Sequence, residues 1–165
     1  AHPPCQLWVN FAALNYKRWG GEHNRPGNDG GCFARALWAV RMFGGVLEHP
    51  ASSQAWPAHG LVTPPAEGRW LRAGLSEWVC EVWQSAYGHP ARKATWLLYV
   101  GEAEPPELLW GTSGQRLKLD HGYHSAEERR RAVKTGRVQR LSKRQRLAPP
   151  PAFRDILIRL AGGPT

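Results

Sequence analysis

Short, apolar segments with strand character alternate with helical segments along this chain. Residues 78–84 (WVCEVWQ) and 94–100 (ATWLLYV) are rich in β-branched and aromatic side chains, and residues 46–50 (VLEHP) form a shorter segment that ends in proline. Residues 32–43 (CFARALWAVRMF) are nearly all apolar, which predicts a largely buried helix that ends at Gly44. Strands separated by helices predict an α/β fold, or a piece of one.

The clearest helix signal lies near the C-terminal end. From Phe153 onward, apolar residues recur at i, i+3, i+4 and i+7, with a proline triplet before them and two glycines after. Residues 125–146 predict another helix, because Ser125 and two glutamates precede a basic run. Residues 20–31 (GGEHNRPGNDGG) contain five glycines and one proline, which predicts a long mobile loop without regular structure.

Composition narrows the class of protein. The 165 residues are enough for one domain with a hydrophobic core. The 42% of hydrophobic residues, with nine Trp, argue against a disordered tail, and no apolar run approaches the roughly 20 residues that a membrane span requires. Three cysteines without a CxxC pair argue against a disulfide framework or a zinc site. We therefore expect a soluble domain from a reducing compartment, with Trp19 and Trp56 in its core.

The net charge of +9 is concentrated in one segment. Residues 129–146, named the basic segment below, contain nine basic residues and no acidic one. This segment is either a solvated helix face or a DNA contact in which phosphates relieve the repulsion between its charges. We favour the DNA contact. The residues assigned to it are Arg129, Arg130, Arg131, Lys134, Arg137, Arg140, Lys143, Arg144 and Arg146.

Cys5 and Glu48 are the residues most suited to a role in catalysis. Cys5 follows two prolines, which fix the local backbone, and Glu48 ends a short apolar strand. Each has an ordinary interpretation as well: Cys5 as a small buried side chain, and Glu48 as the partner of an arginine. Ligands of α/β proteins collect at the carboxyl ends of strands, which favours a shared site.

Three motifs resemble those of the DNA cytosine-5 methyltransferases. They are PPCQ at 3–6, Glu-x-Pro at 48–50 and YGHPARKATWLLYVG at 87–101, and residues 148–161 (APPPAFRDILIRLA) resemble the segment in which that family returns to its core. The intervals from Cys5 to Glu48 and from Glu48 to Arg92 are similar, as the family requires. A phage-type branch is closer still, with matches at His2, Pro50, Gly88, His89, Lys93, Ala94 and Thr95.

The resemblance implies a mechanism. Cys5 would be the nucleophile that adds to C6 of a cytosine, Glu48 the acid at N3, and Lys93 or Arg92 a contact to the base or the backbone. Such chemistry requires a base that is flipped out of double-stranded DNA and then covered by a mobile loop. Residues 20–31 stand in the sequence where that family has its mobile catalytic loop. Gln6 would contact the DNA together with the basic segment.

The resemblance also implies a partial fold. We expect a Rossmann-like methyltransferase core without its N-terminal strands, comprising the C-terminal half of the catalytic core at 1–101, a linker with the basic DNA-contacting segment at 102–146, and a final core helix at 147–165. The cofactor S-adenosylmethionine would touch Pro3 and Pro4, while its other motifs would lie upstream of Ala1, so the chain alone should not methylate DNA. The expected location is the cytoplasm of a bacterium or of a phage-infected host.

Two other functions stay open. A relative of the methyltransferases that only binds DNA would keep the fold and the basic segment. A structural or interaction module would simply pack Cys5 and Glu48. The sequence departs from the family at His49, where an asparagine is usual, and at Ala91 and Thr95, where the family has glutamine and arginine. Convergence of Cys5 and Glu48 on one cleft is what the methyltransferase interpretation requires.

Overall fold

The computed structural model describes residues 1–66, 68–112, 126–135 and 141–162. Its one sheet has the strand order β1-β4-β3-β2, and all of its pairings are antiparallel. The three strand segments predicted from the sequence are confirmed as β1, β3 and β4, and β2 is an unpredicted strand of two residues. The strands are β1 (Gly45–Pro50), β2 (Leu71–Arg72), β3 (Glu77–Trp83) and β4 (Ala94–Val100).

Six α-helices and two 3-10 turns occur within the described ranges. The helices predicted near 32–43 and after the proline triplet are confirmed as α2 and α6. The expectation that α2 is largely buried was wrong, because its buried residues are Phe33, Leu37 and Val40 and most of the others are exposed. The turn at Glu22–Asn24 corrects the expectation that residues 20–31 hold no regular structure. The helices are α1 (Ala12–Trp19), α2 (Cys32–Phe43), α3 (Ala55–Ala58), α4 (Ala126–Thr135), α5 (Lys143–Leu147) and α6 (Pro151–Leu160), and the second 3-10 turn is Gln84–Tyr87.

The region predicted as one helix over 125–146 contains two separate helices, α4 and α5. Ser142 starts α5, because its hydroxyl accepts a hydrogen bond from the Gln145 backbone while the Gln145 side chain accepts one from the Ser142 backbone. This reciprocal cap marks a helix start inside the basic segment. Ser125, the expected start of the whole helix, and residues 136–140 lie outside the described residues.

The sheet separates two hydrophobic clusters. Leu98 of β4 packs with Phe33 of α2 and with Trp56 on one face, and its neighbour Leu97 packs with Phe153 of α6 on the other. Adjacent strand residues point to opposite faces, so both faces of β4 are covered. Phe153 is completely buried, and burial of a phenylalanine contributes about 1.5–3 kcal/mol. The final helix therefore shares a core with the strands.

The sheet confirms a mixed α/β fold but does not confirm the Rossmann-like core, which an antiparallel sheet does not fit well. A Rossmann-like core consists mainly of parallel strands joined by crossover helices. The described strands contain no parallel pair. Residues 84–93 connect β3 to β4, and a parallel arrangement needs a crossover of roughly a dozen residues or more. The connection is therefore suited to an antiparallel pair.

Some large apolar side chains remain on the surface. Trp56 is fully buried, as expected, whereas the expectation was wrong for Trp19, which is 69% exposed. Trp38 and Phe43 of α2 are also exposed and contact each other edge to face. Within the described ranges, no helix has the length and apolar character needed to cross a membrane.

Candidate active site

Glu48 and His49 are adjacent on β1 but lie on opposite faces of the sheet. Glu48 is 3% exposed and pairs in register with Leu97 of β4, on the face that α6 covers. His49 is completely buried on the other face, edge to face with Phe33. The alternation of strand side chains thus separates the two polar residues of the motif.

The buried carboxylate of Glu48 has defined partners. One oxygen contacts Nδ1 of His2, and the other accepts a hydrogen bond of 3.3 Å from Nε2 of Gln84. The same nitrogen of Gln84 donates to Oγ1 of Thr95 at 3.0 Å. An unpaired buried carboxylate is strongly destabilising, so these contacts explain how Glu48 is accommodated. The ion-pair partner found among the described residues is a histidine, whereas the ordinary interpretation expected an arginine.

The N-terminal residues reach Glu48 along the outer edge of β1. The Ala1 amino group donates to the carbonyl of Val46, and the Glu48 N–H donates to the carbonyl of Ala1 at 2.9 Å. This is the hydrogen-bond pattern of a parallel bridge. The next donor in that register would be the nitrogen of Pro3, which has no hydrogen. The pairing therefore ends at Pro3, and the chain turns away towards Cys5.

The charge of Lys93 influences the titration of both Cys5 and His2. Burial raises the pKa of the Cys5 thiol, against the opposing effects of its own backbone N–H and of Lys93. Burial lowers the pKa of Lys93, and Cys5 opposes this shift. Burial, Lys93 and the terminal amino group together lower the pKa of His2. A neutral His2 can still donate its Nδ1–H to Glu48, so the lowered pKa is compatible with that contact.

Three of the four predicted catalytic residues are related to one another through His2 and Lys93. His2 contacts Glu48, and the charge of Lys93 influences the pKa values of both Cys5 and His2. Lys93 is half-buried, whereas Arg92 is exposed to solvent. Of the two alternatives for a base or backbone contact, Lys93 is the one whose charge influences the pKa of Cys5.

His49 forms a separate buried site. Its Nδ1 is 2.7 Å from Oγ of Ser53, and that oxygen accepts a hydrogen bond of 3.1 Å from the Ala55 N–H. Burial lowers the pKa of His49 to about 4, with the carbonyl of Pro4 opposing and His2 adding to the shift. His49 is therefore neutral at pH 7 and serves as a hydrogen-bonded part of the core, away from Glu48.

The loop at 20–31 is fixed at its C-terminal end. Asp29 Oδ2 accepts hydrogen bonds of 2.8 Å from the Trp8 indole and from the Phe33 backbone, while its Oδ1 accepts one of 2.9 Å from Gly31. Burial raises the pKa of Asp29, but these donors outweigh it and lower the pKa below its ordinary value. Gly27 lies against the Trp8 ring, where an added Cβ would be 3.2 Å from the ring carbons. The segment after Cys5 is thus joined to the start of α2.

The residues assigned to DNA and to the cofactor differ in their exposure to solvent. Gln6 and Pro4 are exposed and Pro3 is buried. Lys143 begins α5, while Arg137 and Arg140 lie outside the described residues. The remaining members of the basic segment are Arg129, Arg130, Arg131, Lys134 and Arg144, which are exposed, and Arg146, which is half-buried.

Sequence reasoning missed Gln84. Its side chain is fully buried between Glu48 and Thr95, although these residues are 36 and 11 positions away in the sequence. The sequence does contain a signal for Gln84, because this amide residue directly follows the apolar strand β3, and ligand sites often lie at the ends of strands. His2 and Thr95 belong to the sequence motifs, but their contacts with Glu48 and Gln84 depend on the fold.

Comparison with known proteins identifies no relative. No protein-family model, curated protein or solved structure matches this chain. In the described part of the chain, no three His, Cys, Asp or Glu side chains are grouped to hold a metal ion. The cluster of Cys5, Lys93, His2 and Glu48 is therefore the feature from which a function can be argued.

Proposed function

We propose that this chain contains the base-attacking part of a DNA cytosine-5 methyltransferase-like enzyme. The substrate is a cytosine flipped out of double-stranded DNA, and Cys5 forms a covalent bond to its C6 while Glu48 holds N3. The observation that supports this most is the contact between the buried Glu48 and His2, together with the electrostatic influence of Lys93 on the pKa values of His2 and Cys5. Such an enzyme would act in the cytoplasm of a bacterium or of a phage-infected host.

The residue types suit addition to a pyrimidine. The Cys5 thiolate forms the S–C6 bond as the C5=C6 π bond opens, and the displaced electron pair moves through C4 to N3. The step starts with Glu48 in its protonated form, and this proton passes to N3, which leaves a neutral enamine, the activated form of the ring, and the Glu48 carboxylate. The Lys93 ammonium group favours the thiolate over the thiol, because it lowers the pKa that burial raises. Reversal of these steps restores the base and both side chains.

The edge of β1 is compatible with the finer fold in this proposal. The parallel bridge between Ala1 and β1 has the direction that a strand of a Rossmann-like core would have. On the other edge of β1, the antiparallel strands β4 and β3 continue the sheet. In this arrangement Cys5 follows the end of a parallel strand, where α/β proteins bind ligands.

S-adenosylmethionine does not enter the steps derived above. Pro3 and Pro4, the residues assigned to it, have no backbone N–H to donate. These two residues do not by themselves form a site for the charged and hydroxyl-rich parts of such a cofactor. The proposal for this chain is therefore limited to attack on the base, and a methyl donor would need residues other than these.

The basic segment favours a second candidate function, DNA binding without chemistry. Four cationic residues of α4 are exposed, and they are positioned to contact phosphates: Arg129, Arg130, Arg131 and Lys134. Binding of this kind weakens steeply as salt rises, because each phosphate contact releases counterions. Affinity for duplex DNA that does not change with salt would exclude the basic segment from the interface.

The decisive experiment is covalent trapping by this chain alone. Duplex DNA in which 5-azacytosine replaces every cytosine avoids the need to know the target sequence. Its nitrogen in place of C5 makes C6 more electrophilic and accepts a proton after addition, so no methyl donor is required. We expect a protein–DNA adduct that survives denaturing electrophoresis, and we expect mass spectrometry of the tryptic peptides to locate it at Cys5.

Two cysteine variants make this test specific. Cys5→Ser should abolish the adduct, and Cys32→Ser, which changes an exposed cysteine at the start of α2, should retain it. An adduct that persists in Cys5→Ser would assign the nucleophile elsewhere and refute the proposal. DNA binding without any adduct would instead establish the non-catalytic alternative.

A further inference from the structure

Helix α1 displays an unusual set of exposed side chains. Ala12 is the buried residue of this helix, while Leu14 and Trp19 are 60% and 69% exposed, and Phe11 directly before the helix is 63% exposed. Tyr16 is 39% exposed and lies one turn from Trp19, on the same side of the helix. Ordinary surface helices turn their large apolar residues inward, so this exposure indicates a surface that contacts something else.

The charge around α1 has one sign. Lys17 and Arg18 occupy its last turn, and residues 1–21 contain no Asp or Glu. The Arg18 guanidinium lies over the ring of Trp19, 5.1 Å from its centre. Aromatic rings alternating with cations are what single-stranded nucleic acids require, because bases stack on the rings while phosphates pair with the cations. An apolar protein partner would use the rings but would have to bury the cations.

An open groove lies at the first turn of α1. It encloses about 470 Å³ and is lined by Trp8, Ala12 and Pro57 among others. Two amides in its lining, Asn10 and Gln54, face each other through a hydrogen bond of 3.2 Å. Amides offer both donors and acceptors, and they therefore match the polar edges of unpaired bases.

We propose that α1 and this groove bind unpaired nucleotides of the DNA strand that contains the target base. Trp19 and Tyr16 stack on bases, and Lys17 and Arg18 contact the adjacent phosphates. Only six residues separate Cys5 from α1, and the base that Cys5 attacks must leave the duplex, so the strand that α1 would hold is unpaired at the target nucleotide. DNA is taken as the ligand because this proposal rests on the proposed function. The strand-binding surface lies outside the basic segment.

The test is a binding titration with defined DNA. The probe is a fluorescently labelled oligothymidine of about 12 nucleotides, compared with a duplex of the same length by fluorescence anisotropy. Trp19→Leu should weaken binding of the single strand roughly 5- to 150-fold, the range for loss of one base-stacking ring. The double change Lys17→Gln with Arg18→Gln should lower the slope of log affinity against log salt by about 1.4.

The matched control is Trp38→Leu, because Trp38 is also an exposed tryptophan on a helix surface but lies on α2. It should bind the oligothymidine like the unchanged protein. Equal affinities of Trp19→Leu and Trp38→Leu would overturn the proposal. If Trp19→Leu instead converts a dimer to a monomer in sedimentation, or removes binding to phosphatidylserine vesicles, α1 is a contact between copies or a membrane-binding surface and the proposal is likewise wrong.

Failure of this proposal is separable from failure of the proposed function. Cys5→Ser should abolish covalent trapping but leave the anisotropy titration unchanged. Trapping at Cys5 together with normal strand binding by Trp19→Leu would remove α1 from the site and retain the chemistry. Strand binding that depends on Trp19, without any trapping, would retain the surface and refute the chemistry.

Discussion

Stability below neutral pH should depend on His49. This side chain is completely buried between the aromatic rings of Phe33 and Trp56, and burial lowers its pKa from 6.5 to about 4 in the folded chain. The unfolded chain therefore binds more protons than the folded one between about pH 4 and pH 6.5. The contribution of His49 to stability is complete above pH 6.5 and is lost as the pH falls through that interval.

The size of the effect follows from the two pKa values. At pH 5, protonation of the unfolded state should reduce the free energy of unfolding by about 2 kcal/mol relative to pH 7.5. With a urea dependence of about 2 kcal/mol per molar, typical of small proteins, the midpoint of unfolding should fall by about 1 M. His49→Phe retains a planar ring next to Phe33 and removes the titrating group, so its urea midpoint should change less between these pH values.

Urea unfolding followed by tryptophan fluorescence at a series of pH values measures this difference. His2 has a lowered pKa as well and adds to the pH dependence of both proteins, so the quantity of interest is the difference between the unchanged protein and His49→Phe. His23→Gln, a change of an exposed histidine, is the control and should keep the slope of the unchanged protein. Parallel pH dependences for the unchanged protein and His49→Phe would refute the burial of a neutral His49.

Two further changes test the core and the site. Phe153→Ala should lower the free energy of unfolding, measured in urea, by about 3–5 kcal/mol, because Phe153 is fully buried against the sheet. The control Ile158→Ala, at a position 43% exposed on the same helix, should lower it much less. Equal losses would contradict the packing of α6. Lys93→Met should raise the pKa of Cys5 and slow its alkylation by iodoacetamide at pH 8, and Lys93→Arg should restore the rate. An unchanged rate in Lys93→Met would show that Lys93 does not influence Cys5.

The strands and the final helix could be predicted because their signals are local. β4 is a continuous run of β-branched, aromatic and aliphatic residues, and α6 repeats apolar residues with the period of a helix. Helix α1 has no such stripe, since Leu14 and Trp19 point to solvent, and for this reason its sequence does not read as a helix. The strand order β1-β4-β3-β2 depends on pairing between distant residues, which periodicity does not encode.

The candidate site was predicted in its residue types and incompletely in its contacts. Cys5, Glu48 and Lys93 were identified from motifs. The choice of Lys93 over Arg92 depends on the fold, in which Lys93 is half-buried and Arg92 is exposed. The contacts of Glu48 with His2 and Gln84 join positions 46 and 36 residues apart. Contacts over such separations are fixed by tertiary packing, so no local pattern contains them.

The surroundings of Glu48 bear on whether this protein is a catalyst or only a packed module. A buried carboxylate can often be replaced by an apolar side chain without loss of stability, and sometimes with a gain. In this protein, retaining the carboxylate requires the side chains of both His2 and Gln84, and Gln84 is itself fully buried. Packing alone therefore does not require a carboxyl group at this position. A buried carboxyl group with His2 and Gln84 as partners is what the proposed proton transfer to a ring nitrogen would use.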